Sequence, residues 1–315
     1  MFLNRCDMTL LTEMSEEKLD SLIERADELF KEGKCCPIKC GGKNPRFCGA
    51  VEEGIKVASF AVHDGEEPPV SGWNGAGNVF FSGCSAKCVF CQNWPISQEN
   101  NGKIYSIDEF ASHITKLLAK KVHNINLVTS DHYLGKVLRA FKKIRSGIKV
   151  PIVYNCNGAQ TEELFKIILE ISDIFLFDVK YVTNEPAKEL CAIKHYADVV
   201  LKCLDMLLEK NIPWVENDLG ILQKGLIIRH LVLPNYIDNS LKTMEVLNEY
   251  KKRGLNFKIA LMSQYFPAYK ALDNPKLNRQ LHKDEYGQVA ALADKYGFDG
   301  WIQDLEEEGI DETQN

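Results

Sequence analysis

Cys84, Cys88 and Cys91 stand in the spacing C-x3-C-x2-C (CSAKCVFC), on a loop that follows the apolar run NVFFSGC at 78–84. Thiolates bind soft metal ions and iron–sulfur clusters, and three on one short loop can converge on a single centre. Structural zinc takes four closed ligands, commonly as two separated pairs. A four-iron cluster also takes four thiolates as a rule, so three would leave one iron open to a substrate or cofactor. Two plainer readings stay beside this one: a zinc site that borrows a fourth ligand from elsewhere, or cysteines buried without metal.

The other polar groups with chemical potential fall at the ends of apolar runs: Ser82–Cys84, Thr129–His132, Asn155–Asn157, Asp178–Lys180, Arg229–His230 and Ser263–Tyr265. The runs themselves read as strands at 78–84, 124–130, 150–156, 173–180, 225–234 and 256–265. Helical spacing fills the gaps, at about 107–118, 133–145, 161–171, 185–210, 240–252 and 284–296. Ser106 and Glu109 carry a capping-box signature. Strands alternating with helices predict an α/β fold with parallel pairing, as an open doubly wound sheet or an incomplete barrel. In both, sites lie at the C-terminal ends of the strands, where these polar groups recur.

Upstream, residues 15–32 predict an amphipathic helix capped by Ser15, followed by the aperiodic CCPIKCGGKNPRFCG. Residues 1–77 are therefore expected to form a helical and cysteine-rich N-terminal extension, 78–300 the α/β unit and 301–315 an acidic tail, solvated from Asp304 onward. Eight of the eleven cysteines lie in the first 91 residues: Cys6, Cys35, Cys36, Cys40, Cys48 and the triplet. In a chain of this size, that usage points to metal or redox chemistry more than to disulfides. The 315 residues carry a net charge of −6, with 45% hydrophobic and 26% charged residues. Those values exclude a wholly disordered or collagen-like chain and argue against nucleic acid as a partner. No apolar run reaches the ~18 residues of a membrane span, and MFLNRCDMTLLTEMSEE lacks the pattern of a signal peptide. A cytoplasmic protein is expected.

The triplet, with Phe90 just before its last cysteine, resembles the signature of the radical S-adenosylmethionine (SAM) superfamily. GAGNVFFSGCSAKCVFCQNWPISQ (75–98), EEPPVSG (66–72), FDVKYV (177–182), GLIIRHLVLP (225–234) and MSQYFP (262–267) are similar to homologues of the pyruvate formate-lyase activating enzyme, a likeness spanning about 35–300. The resemblance implies a partial (β/α)6 barrel of the radical SAM type. It implies a [4Fe-4S] cluster on Cys84, Cys88 and Cys91, with SAM bound to the open iron and cleaved reductively to a 5′-deoxyadenosyl radical that abstracts hydrogen from a substrate. It further implies anaerobic chemistry, a reductant such as flavodoxin or ferredoxin, and in its most concrete form a glycyl radical enzyme as protein substrate. A small-molecule or peptide substrate is the second enzyme reading. A non-catalytic iron–sulfur protein for electron transfer or sensing is the third.

By the same resemblance, Asn93 contacts SAM, the alternative being a loop cap. Asp178 and Lys180 match a D-x-K motif that faces SAM, against a rim ion pair. Arg229 needs a partner if buried, either a ligand carboxylate or a structural acid. His230 points to the opposite face of a regular strand and is expected to be structural, with proton transfer kept open. Thr129, Ser130, Asp131 and His132 occupy the place of a glycine-glycine-acid motif for the SAM amino group. The chain departs from that motif, leaving Thr129 or Asp131 as replacements. Asn155 and Asn157 are candidates for SAM or substrate contact, and Gln264 and Tyr265 for the adenosine or substrate edge, each against a packing or turn role. In the N-terminal segment Cys36, Cys40 and Cys48, with Cys35, do not match ferredoxin spacing, and Gly33 stands where relatives have a cysteine. Structural zinc, a second cluster and no metal all stay open there.

Overall fold

The computed structural model describes residues 9–43 and 45–303. Cys6 and the acidic tail from Asp304 lie outside the described residues. The strands are β1 Ile55–His63, β2 Ala76–Phe81, β3 Lys103–Tyr105, β4 Ile125–Val128, β5 Ile152–Cys156, β6 Ile174–Asp178, β7 Val215–Glu216, β8 Leu222–Leu231, β9 Lys258–Met262 and β10 Gly300–Ile302. The helices are α1 Leu10–Glu13, α2 Glu16–Lys31, α3 Pro68–Ser71, α4 Trp94–Ser97, α5 Ile107–Ala119, α6 Leu134–Ile144, α7 Glu162–Ile171, α8 Asn184–Leu190, α9 Tyr196–Lys210, α10 Ile237–Lys252 and α11 Lys283–Lys295.

The sheet is open, in the order β10-β9-β8-β6-β5-β4-β2-β1-β3, with β7 paired to β8. From β10 to β2 every neighbour is parallel, and β2-β1 and β1-β3 are antiparallel. All six expected parallel strands form. The structure adds β10 beyond β9, reaching into the expected tail, and β1 within the expected N-terminal extension. β2 begins at Ala76, so the sheet crosses the expected boundary at residue 77.

The helices start where their caps predict. The Ser15 hydroxyl accepts from the Lys18 N–H, and Ser106 and Glu109 form both bonds of a capping box. One expectation fails. The helix read as continuous over 185–210 is two helices, broken at Cys191, whose backbone is extended. The reason is tertiary: the N–H of Ala192 donates to Ala86 O (2.7 Å) and the N–H of Val89 to Leu190 O (2.9 Å), so the break pairs with the cysteine loop.

Period-2 alternation explains how the site is positioned. Ile152, Tyr154 and Cys156 of β5, Phe175 and Phe177 of β6, and Leu226 and Ile228 of β8 join the large helix-side core. On the other face Val153, Ile174, Leu176 and Ile227 form a smaller apolar cluster. The next residue up that face is Asn155, Asp178 or Arg229, each at or near the C-terminal end of its strand. The concave face is thus apolar below and charged above. His230 falls on the helix side as expected, its Nδ1 2.6 Å from Val179 O and its Nε2 2.9 Å from Ser240 Oγ. Burial lowers its pKa to about 4, which keeps it neutral and structural. No helix among the described residues is long and apolar enough to cross a membrane.

A candidate active site at the cysteine loop

A cavity of about 800 Å³ opens at the C-terminal ends of the parallel strands. Cys84, Cys88 and Cys91 are on its wall, with Asn93, Thr129, Asn155, Asn157, Asp178, Lys180, Arg229 and Gln264. Residues scattered over 180 positions of sequence are therefore neighbours in space, as the strand-end argument predicts.

The loop carrying the cysteines is held at both ends. The Gly83 N–H donates to Ile96 O (2.8 Å), and the Ser82 hydroxyl to Asn101 O (2.7 Å). Asn157 Nδ2 lies 3.7 Å from Cys84 Sγ, and Cys91 Sγ is 3.0 Å from Ser97 Oγ. Burial pushes the Cys84 thiol up and the Cys88 thiol well up, so their thiolates need a compensating cation. Among the described residues no three His, Cys, Asp or Glu side chains close on one ion-sized point. The sulfurs on a four-iron cluster bind different irons and stand apart, and a wall of three cysteines around a roomy cavity fits that larger group better than one zinc ion.

Opposite the loop is a charged network. Arg229 Nε donates to Asp178 Oδ1 (2.9 Å), Nη2 to Asn155 Oδ1 (2.5 Å) and Nη1 to Glu66 Oε2 (3.4 Å). Lys180 Nζ donates to Asp178 Oδ2 (2.7 Å). Burial alone would raise the Asp178 pKa, but Lys180 and Arg229 outweigh it and hold the carboxylate below its ordinary range. Lys180 is raised, because Asp178 and the nearby Cys88 more than offset the burial penalty. It uses one of its three donors on Asp178 and keeps two for a ligand. Arg229 thus pairs with structural acids, the second of the two roles open to it.

Asn93 precedes α4, but its side chain makes no capping bond, so the loop-cap alternative is not realised. Thr129 takes φ +61°, a left-handed conformation that a β-branched residue rarely adopts and that glycine adopts freely. Its N–H is tied to Asn155 O at 2.9 Å. Thr129→Gly is expected to stabilise the fold by about 0.5–1 kcal/mol, since relief of ~1–2 kcal/mol of strain exceeds the added unfolded-chain entropy. Urea unfolding measures this, and an unchanged or lower midpoint contradicts it.

Two candidates are corrected. Asp131 is not on the cavity wall: it is buried behind it, accepting from the Tyr154 hydroxyl and from Gln160 Nε2 (3.2 Å). Tyr265 is also buried elsewhere, its hydroxyl donating to Leu277 O (2.6 Å) and its ring packed on Phe90. Ser130 and His132 are buried too, the latter 2.8 Å from Ser82 O and kept neutral by burial, with a pKa of about 4. Asn157 divides its role, since its Oδ1 accepts from Ala159 N and Gln160 Nε2 as a turn residue.

Glu66, Glu67 and Tyr196 went unassigned in the sequence. The first two lie in EEPPVSG, whose paired acids were the available signal. Tyr196 donates to Asn157 O (2.6 Å), lies 3.0 Å from Asp178 O and accepts from Lys180 N (3.1 Å), clamping two strand ends. A tyrosine opening α9, within a stretch that reads as one continuous helix, gives no sequence signal for that.

The N-terminal cysteines do come together. Cys35, Cys36, Cys40 and Cys48 line a pocket of about 20 Å³ with Arg46, Asp131 and His132. Such a volume holds about one water. Here too no three His, Cys, Asp or Glu side chains converge on one ion-sized point among the described residues.

The chain belongs to the radical SAM superfamily, whose family model matches residues 78–244. Members of that superfamily typically use a [4Fe-4S] cluster and SAM. The uncharacterized protein MJ0674 of Methanocaldococcus jannaschii is 31% identical over 291 residues, covering 89% of this chain and 80% of its own length. Among solved structures, Streptococcus suis SuiB bound to S-adenosylmethionine is similar with a TM-score of 0.49 and 10% identity over 71% of this chain. The chain spans about half of SuiB, 48% of its length. TYW1 with a lysine-pyruvate adduct bound gives a TM-score of 0.46 at 16% identity, covering 74% of this chain and 77% of that one.

Proposed function

We propose that this member of the superfamily cleaves SAM reductively and removes hydrogen from a substrate held in the same cavity. One observation carries the reading: Cys84, Cys88 and Cys91 share a single 800 Å³ cavity with the Asp178–Lys180–Arg229 network. A cluster held by Cys84, Cys88 and Cys91 would pass one electron, taken from an external reductant, to SAM, giving methionine and, once hydrogen is taken from the substrate, 5′-deoxyadenosine and a substrate radical. The chain's own residues bind and orient. Lys180, with two free donors and a retained positive charge, meets the SAM carboxylate. Asp178 fixes the lysine and is itself kept ionised by Arg229. Asn93, Thr129, Asn155, Asn157 and Gln264 line the remaining wall and contact SAM or substrate.

An activase acting on a glycine of a glycyl radical enzyme is one form of this activity. Abstraction from a small molecule or a peptide is the other, and the charged groups on the cavity wall, Glu66, Glu67, Asp178, Lys180 and Arg229, favour a substrate more polar than a glycine residue.

The test is anaerobic reconstitution followed by dithionite and SAM. Release of 5′-deoxyadenosine supports the enzyme reading, and iron binding without it supports an iron–sulfur carrier. A glycine-centred radical, seen by electron paramagnetic resonance in a co-purified protein, would restore the activase.

A further inference from the structure

Glu66 and Glu67 are adjacent on the segment between β1 and β2, and both line the cavity that holds the three cysteines. Their situations differ. Glu66 is saturated, accepting from Asn78, Asn126 and Arg229. Glu67 has a buried Oε2 with no hydrogen-bond partner. It precedes α3, yet its side chain makes no capping bond there. Arg229 spends its donors on Asp178, Asn155 and Glu66. Three carboxylates (Glu66, Glu67, Asp178) therefore face this cavity against two cations (Lys180, Arg229), and the unmatched one is Glu67.

A buried, unpaired carboxylate is costly and is kept where a cation arrives to meet it. Burial pushes the Glu67 carboxyl up, and the charge of Arg229, already hydrogen-bonded to other acceptors, offsets only part of that. An ammonium donor matches a single unpartnered carboxylate oxygen on the wall of an organic-sized cavity. We propose that Glu67 Oε2 recognises an aliphatic ammonium group on the substrate, which makes the substrate class a small amine. The proposal rests on the reading of this cavity as the substrate site and adds to it the group that is read.

SAM carries an ammonium of its own, so the test separates the two sources. The reconstituted protein is titrated anaerobically with n-butylamine, 1,4-diaminobutane and L-lysine, and with 1-butanol and 1,4-butanediol as neutral matches. Melting temperature and equilibrium dialysis report binding. At least one amine is expected to bind about tenfold or more tightly than its matching alcohol, as a charge-assisted bond requires. In Glu67→Gln that preference is expected to vanish, and without ligand the variant is expected to melt at or above the wild-type temperature, because an unpaired charge has been removed. Equal binding of amines and alcohols overturns the proposal, as does an amine preference that survives in Glu67→Gln. A tenfold loss of SAM affinity in Glu67→Gln assigns the carboxylate to SAM's ammonium and overturns it too, and so does stabilisation by magnesium ion in place of the amines. Because these readouts are binding alone, they stand apart from 5′-deoxyadenosine release, whose absence from wild type would sink the radical reading instead.

Discussion

Cys88→Ala is expected to lose its cluster and release no 5′-deoxyadenosine above background while keeping its fold. Wild-type protein reconstituted without oxygen should hold about four irons on the triplet, and the variant close to none. The fold should survive because the core does not depend on the metal: the apolar cluster on the helix side of the sheet runs from α2 to α11. A chain of 315 residues is long enough to bury such a core without staples. Replacing a buried cysteine by alanine removes little more than a sulfur, so the unfolding midpoint should shift only slightly. Iron analysis, circular dichroism and chemical denaturation check the three parts. Retained iron would place the cluster elsewhere, and global unfolding would make the triplet structural.

Arg229→Met is expected to do the opposite, damaging stability first. It leaves Asp178 and Glu66 partly buried, with only Lys180 to answer them. Breaking one side of a buried ion pair costs roughly 3–5 kcal/mol, well above the deletion of an exposed pair. A second change, Asp178→Asn, should recover part of that loss, because the two sites share a bond and are not additive. Denaturant unfolding of the two single variants and the double variant closes the cycle. A loss under ~1 kcal/mol in Arg229→Met would mean the network is solvated and adds no more than a surface pair.

Much of the architecture was legible because it is periodic. Strand runs buried on both faces and helices with marked caps gave six parallel strands, and the polar residue ending each run gave most of the cavity wall. The illegible parts are the non-local ones. Nothing within 185–210 marks the break at Cys191, since it is imposed by hydrogen bonds from the cysteine loop about a hundred residues away. β10 is three residues long and paired only with β9, too short to show alternation. Asp131 and Tyr265 sat at strand ends with suitable chemistry, but a strand end fixes the neighbourhood and not the direction. Local geometry turned Asp131 toward Tyr154, and Tyr265 toward Leu277. Thr129 is the instructive intermediate. The sequence showed the departure from a glycine motif, and only the backbone angle showed why glycine would suit that position.

The pairing of Ala86 and Val89 with the gap between α8 and α9 bears on how iron enters. Those backbone hydrogen bonds need no sulfur ligand, so they are expected to hold the loop in place when iron is absent. Iron-free protein is then expected to take up a cluster by filling a mould more than by folding around a seed.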